Sequence, residues 1–128
     1  MSVLSSYDYA MVRLVPSNER GECINVGVLL FCRTRRFLGM HTHLDVPRLA
    51  LFAPLLDLDE VTQQLEHFKR VCAGGKDAGP IGEMSQSERF HWLVSPRSTV
   101  IQTSVVHSGL CNNPAATLQH LLETLVQS

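Results

Sequence analysis

Two hydrophobic periods alternate along this chain, and their order predicts its elements. Residues 7–15, YDYAMVRLV, are rich in aromatic and β-branched side chains and stop at Pro16, which predicts a strand. SNERG follows as a turn closed by Gly21, and CINVGVLLF predicts a second strand. Strict alternation places Ile24, Val26, Val28 and Leu30 on one face and Asn25, Gly27, Leu29 and Phe31 on the other. Both faces are largely apolar, so the strand is expected to be central. CRTRR reads as a turn, and residues 37–44, FLGMHTHL, complete an antiparallel meander.

The period then becomes helical. Residues 45–56 suit a short helix with Asp45 able to cap and Pro47 in the first turn. A second helix begins at Asp57 or Asp59, carries Val61, Leu65, Phe68 and Cys72 on one stripe, and stops at Gly74 and Gly75. Early acids and late Lys69 and Arg70 suit its dipole. Residues 74–84, GGKDAGPIGEM, are expected to form a flexible internal loop or mobile lid. SQSE has capping-box spacing before the short helix RFHWLV, which ends by Pro96. Residues 98–109 predict one further strand. A last helix takes Asn113 as cap and Pro114 at its first position, with Leu118, Leu121, Leu122 and Leu125 as the buried stripe.

The expected fold class is α+β: a mainly antiparallel sheet of three to five strands with helices packed on one face. The 128 residues suit one domain, 1–128, with no repeat. A chain of this length buries roughly two-thirds of its unfolded surface and needs no metal or disulfide to fold. Hydrophobic residues at 45% and charged residues at 18% are ordinary globular values. A net charge of -1 gives no global field to attract nucleic acid or cations. No basic, then apolar leader and no apolar run of about 18 residues is present, so a cytoplasmic protein with no membrane span is expected. Cys23, Cys32, Cys72 and Cys111 show no metal-finger spacing and read as reduced thiols serving as small core residues.

Residues 89–110 hold the densest candidate chemistry. No acid occurs between Glu88 and Glu123, while Arg89, His91, Trp92, Arg97, Ser98 and His107 fall close together. Guanidinium forks fit phosphate or carboxylate oxygens, hydroxyls and imidazoles complete such a site, and Trp92 offers a flat wall. The bland alternative is a core tryptophan, solvated arginines and incidental histidines. His41 and His43 share a strand face but lack a third metal ligand by spacing. Arg33, Arg35 and Arg36 form a basic turn able to touch nucleic acid or simply to be solvated. Ser98 with a histidine, or Cys111 with His107, lacks any recognised nucleophile setting. No phosphate-loop, dinucleotide or zinc-protease motif is present.

VPSNERGECINVGVLLF, RRFLGMHTHLD, the long run from VCAGGKDAGP to VVHSGL and the final leucine-rich helix resemble a bacterial family, domain of unknown function 3037. The resemblance covers roughly residues 7–126. It implies small bacterial proteins of no established activity, loosely associated with genes for HipA-like kinases, and hence a small partner subunit. Its signature residues match Arg20, Gly21, Asn25, Gly27, Arg89, Trp92, Pro96, Arg97, Ser98 and His107. That chemistry suits a shared surface better than a packed core.

The leading expectation is a non-catalytic accessory protein. Arg20, Arg89 and Arg97 would supply charge, Asn25 and Ser98 hydrogen bonds, and Trp92 an apolar wall, for a protein partner or an anionic ligand. The two chain corners NERGECIN and SPRS would pool their guanidinium groups in one hollow. One alternative is an enzyme acting on phosphate esters or nucleic acid with His91 or His107 as general acid/base. Another is a nucleic-acid-binding module using the basic turn. No cofactor is implied.

Overall fold

In the computed structural model, which describes residues 3–127, a central antiparallel sheet separates two apolar cores. Among the described residues the order is β1 (Ser5–Leu14), β2 (Ile24–Cys32), β3 (Phe37–Thr42), α1 (Val46–Phe52), α2 (Leu58–Ala73), α3 (Gln86–Leu93), β4 (Ile101–Thr103), β5 (His107–Cys111) and α4 (Pro114–Leu125). β3, β2 and β1 lie side by side as the expected meander. The far edge of β1 is shared: β5 pairs with Ser5 to Tyr9, and β4 with Val12 to Leu14. The single strand expected over 98–109 is therefore two. At the break, Ser104 donates its N–H to the Met11 carbonyl and accepts the Met11 N–H on Oγ, both at 2.9 Å. That exchange keeps the edge satisfied while the chain steps aside.

The α+β class and antiparallel sheet are as the pattern predicts. The placement of every helix on one face is not. Ile24, Val26, Leu29 and Phe31 of β2 pack with Val61, Leu65, Phe68 and Val71 of α2 and with Phe90 and Leu93 of α3. Val28, Leu30 and Cys32 point the other way and meet Cys111 and α4 residues Leu118 and Leu122. A largely apolar central strand has two faces to cover, and α4 covers the second.

The face assignment of β2 also changes, through a β-bulge. Val12 pairs with Gly27, but Arg13 pairs with Asn25, so Val26 is an extra residue with no Cα partner on β1. Val26 thus joins Ile24, Leu29 and Phe31 in the α2 core, separated from Val28 and Leu30. Asn25 instead shares the α4 face with Arg13, whose Nε donates to Asn25 Oδ1 at 3.3 Å. Gly27 sits where β3 closes in: a Cβ there would stand 2.8 Å from the His41 carbonyl oxygen.

The helix starts follow local chemistry. Asp45, Asp57 and Asn113 accept backbone N–H groups at the heads of α1, α2 and α4, and Ser85 Oγ does so for α3 while donating to Glu88. α1 is shorter than expected and buries only Leu49, leaving Leu51 and the following Leu55 exposed. Residues 74–84, expected to be a flexible loop, carry two 3₁₀ turns, Lys76–Ala78 and Pro80–Glu83. They are closed by Gly75 N–H on the Gly82 carbonyl at 2.9 Å, with Ala78 and Gly82 buried.

Candidate binding surface

The two chain corners singled out in the sequence do meet. Asn18, in the turn after β1, donates through Nδ2 to the Ser98 carbonyl at 2.9 Å. Gln102 Nε2 donates to Asn18 Oδ1 at 2.6 Å and to the Thr99 carbonyl at 3.0 Å, and Val15 N–H reaches the Val100 carbonyl at 2.7 Å. Ser98 is exposed and contributes this bond through its backbone.

The guanidinium groups do not pool at that junction. Arg20 is exposed and pairs with Glu22 two residues on. Arg89 is buried and turned inward: Nη1 donates to the Val71 and Cys72 carbonyls, both at 2.8 Å, and Nε to the Met84 carbonyl at 3.0 Å. A cation on the last carbonyls of α2 complements the helix dipole and satisfies backbone acceptors that burial would orphan. Gly74 makes room for it: φ is +78°, and a Cβ would lie 2.8 Å from Arg89 Nη1. Arg89 is thus a bracket between α2, the 3₁₀ turns and α3.

Arg97 alone of the three faces a hollow. Its Cζ lies 4.9 Å from the Phe68 ring centroid and 4.8 Å from that of Trp92, so the cation covers two aromatic rings at once. Nη2 donates to the Trp92 carbonyl at 2.6 Å and Nη1 to the Leu93 carbonyl at 3.3 Å, closing the end of α3. Burial lowers the Arg97 pKa, yet a guanidinium stays charged in proteins. The rings of Phe68 and Trp92 stand edge to face at 6.1 Å, and His67 meets Trp92 edge to face at 5.6 Å. Together with Glu60, Gln63, Gln64 and Thr99 they line a mainly apolar groove of about 500 Å³. The α2 half of this groove was missed from sequence. Phe68 reads there as an ordinary core position, and nothing local links it to Arg97.

The remaining candidates disperse. His91 is exposed on α3 and shares a hollow of about 220 Å³ with Asp8, Arg33 and Phe90, on the α2–α3 side of the sheet. His107 sits on β5 with its ring 5.3 Å from Tyr9, whose side chain packs on the α4 side. The two imidazoles therefore stand on opposite faces and do not frame one reacting atom. Asn25 lies at the bulge, where its Nδ2 donates to the Leu125 carbonyl at 3.3 Å. In the basic turn, Arg35 is tied to Ser5 Oγ at 3.0 Å, while Arg33 and Arg36 are exposed.

Among the described residues no three His, Cys, Asp or Glu side chains gather to hold a metal. All four cysteines are free; Cys32, Cys72 and Cys111 are buried as expected, whereas Cys23 is exposed. Among the described residues no helix is long and apolar enough to cross a membrane.

A family model described as Protein of unknown function (DUF3037) matches residues 9–126. No curated protein and no solved structure matches the chain. The match takes in all five strands except the start of β1, and every helix, and on that extent the chain belongs to the DUF3037 family.

Proposed function

We propose that the protein is a non-catalytic accessory protein that docks a protein partner in the Trp92–Arg97 groove. The observation that carries this reading is the Arg97 cation lying across Phe68 and Trp92 beside an open apolar trough. Of its five N–H donors, two are spent on the end of α3, which fixes the guanidinium plane. Among the described residues the ion pairs are Arg20–Glu22 and Lys69–Glu66, so Arg97 has no carboxylate partner of its own. Tryptophan and arginine are among the residue types that dominate protein–protein binding energy once a partner covers them. The complementary segment presents an apolar or aromatic side chain with a carboxylate beside it.

A HipA-like kinase is the partner that the family association suggests, and the free thiols suit a cytoplasmic setting. Trp92 is the single tryptophan of the chain, so its emission reports on this groove without labelling. Titrating a purified HipA-like kinase that carries no tryptophan at its docking segment should change Trp92 emission saturably. Gln63→Glu, at the exposed rim, should weaken the complex about tenfold by repelling the incoming acid. No complex, or a complex indifferent to Gln63→Glu and to Arg97→Met, would overturn the proposal.

A further inference from the structure

At the bulged end of the sheet, a cleft that shares no residue with the Trp92 groove opens between β1, β2, α1 and the end of α4. It has an outer hollow of about 300 Å³, walled by Arg13, Cys23, Asn25, Arg48 and Leu125. An inner recess of about 100 Å³ continues past Ile24, Asn25 and Arg48 to His43 and Asp45. Arg13 comes from β1 and Arg48 from the first turn of α1, so two positively charged side chains from distant parts of the chain wall one space.

Their hydrogen bonding leaves the hollow poised for an anion. Arg13 spends Nε on Asn25 Oδ1, which aims the guanidinium, and among the described residues Nη1 and Nη2 have no acceptor. The Arg48 guanidinium has none either; only its backbone N–H is engaged, with Asp45 Oδ1 at 3.2 Å. Neither arginine pairs with a carboxylate among the described residues. Among the described residues two features oppose an anion in this cleft: the last carbonyls of α4, with roughly half a negative charge, and the Asp45 carboxylate. Asn25 Nδ2 covers one of these carbonyls, that of Leu125. Asp45 lines the inner recess and is absent from the walls of the outer hollow. Two full positive charges therefore dominate the outer hollow. A monoanionic carboxylate needs one such fork, whereas a phosphate monoester is close to dianionic at neutral pH and offers three oxygens.

We infer that the Arg13–Asn25–Arg48 cleft is a binding site for a phosphate monoester group. The hollow holds the phosphoryl head and leaves the rest of the ester in solvent, so a small phosphorylated metabolite and a phosphorylated side chain share the same recognition chemistry.

Binding of phenyl phosphate, inorganic phosphate and a phosphoserine peptide, measured by calorimetry at low salt, tests the assignment. Wild-type protein should bind at least one probe, and Arg48→Gln and Arg13→Gln should each weaken it tenfold or more. Arg20→Gln should leave it unchanged. A peptide at least tenfold tighter than phenyl phosphate identifies a phosphorylated protein as the source, and equal affinities identify a small ester. Arg48 is exposed, so Arg48→Gln should keep the wild-type Tm and report on the site alone. Failure of all three probes to bind, or equal binding by wild type and both cleft variants, would overturn the inference.

Discussion

Asn18 and Ser98, eighty positions apart, are joined by a 2.9 Å hydrogen bond that fastens the turn after β1 to the turn before β4. Asn18 also receives Gln102, so one exposed side chain serves both corners. Asn18→Ala should cost about 1 kcal/mol, the usual net value of such bonds, read as a shift in the urea midpoint with unchanged m.

Arg89 and Arg20 carry the same charge and were both expected at one site, but they should behave as opposites. Arg89→Ala removes donors from two carbonyls at the buried end of α2 and from the Met84 carbonyl, and should destabilise by about 3 kcal/mol or more. Arg89→Lys, with no fork to span Val71, Cys72 and Met84 together, should recover only part of that. Arg20→Ala should stay within about 0.5 kcal/mol. Thermal or chemical denaturation separates the two.

Arg97→Lys tests the aromatic cover. An ammonium cannot lie flat over both rings while also closing α3, so the stack over Phe68 and Trp92 is lost. Trp92 emission should move to longer wavelength as water reaches the ring, with a stability loss of about 1 kcal/mol.

The cysteines give a pH prediction. Burial pushes the Cys72 thiol up from 9.0 to about 12, against the opposing pull of Arg89 beside it. Burial also raises Cys111 and Tyr7. In each case the unfolded chain gives up the proton first, so stability is complete below about pH 9 and should fall as pH rises toward 12. At pH 8 an alkylating reagent should modify exposed Cys23 at once and the other three only as the protein opens.

Gly27→Ala should destabilise by about 1–3 kcal/mol, because the new methyl group meets the His41 carbonyl across the β2–β3 ladder at 2.8 Å. A lower thermal midpoint with an unchanged far-ultraviolet spectrum is the expected reading.

What the sequence made legible was local. Asp45, Asp57, Ser85 and Asn113 announce their helices because a cap is a bond between residues two or three apart. The meander is equally plain, since turn residues lie between runs of β-formers. The departures at the site and the sheet rest on partners distant in the chain. Alternation alone cannot reveal that Val26 is an extra residue, because the bulge is defined by where Val12 and Arg13 stand on the neighbouring strand. Arg89 looks like a surface arginine until α2 ends against it. Of the candidate residues, Trp92 and Arg97 come together, and they do so on Phe68, which carries no signal of its own. Arg13 and Arg48 lie in unremarkable stretches, 35 positions apart, and only the folded sheet end makes them neighbours of one hollow.

The extra residue in β2 acts as a phase shifter for everything upstream of it. Were Val26 instead paired in regular register with β1, strict alternation would run through the whole strand. In that one step Ile24 would swing toward the closing helix, and the amide of Asn25 would be driven into the opposite oily interior with nothing to bind it. The Arg13 fork would lose the group that aims it. A single backbone irregularity thus decides on which side of the sheet the polar end of this molecule is assembled.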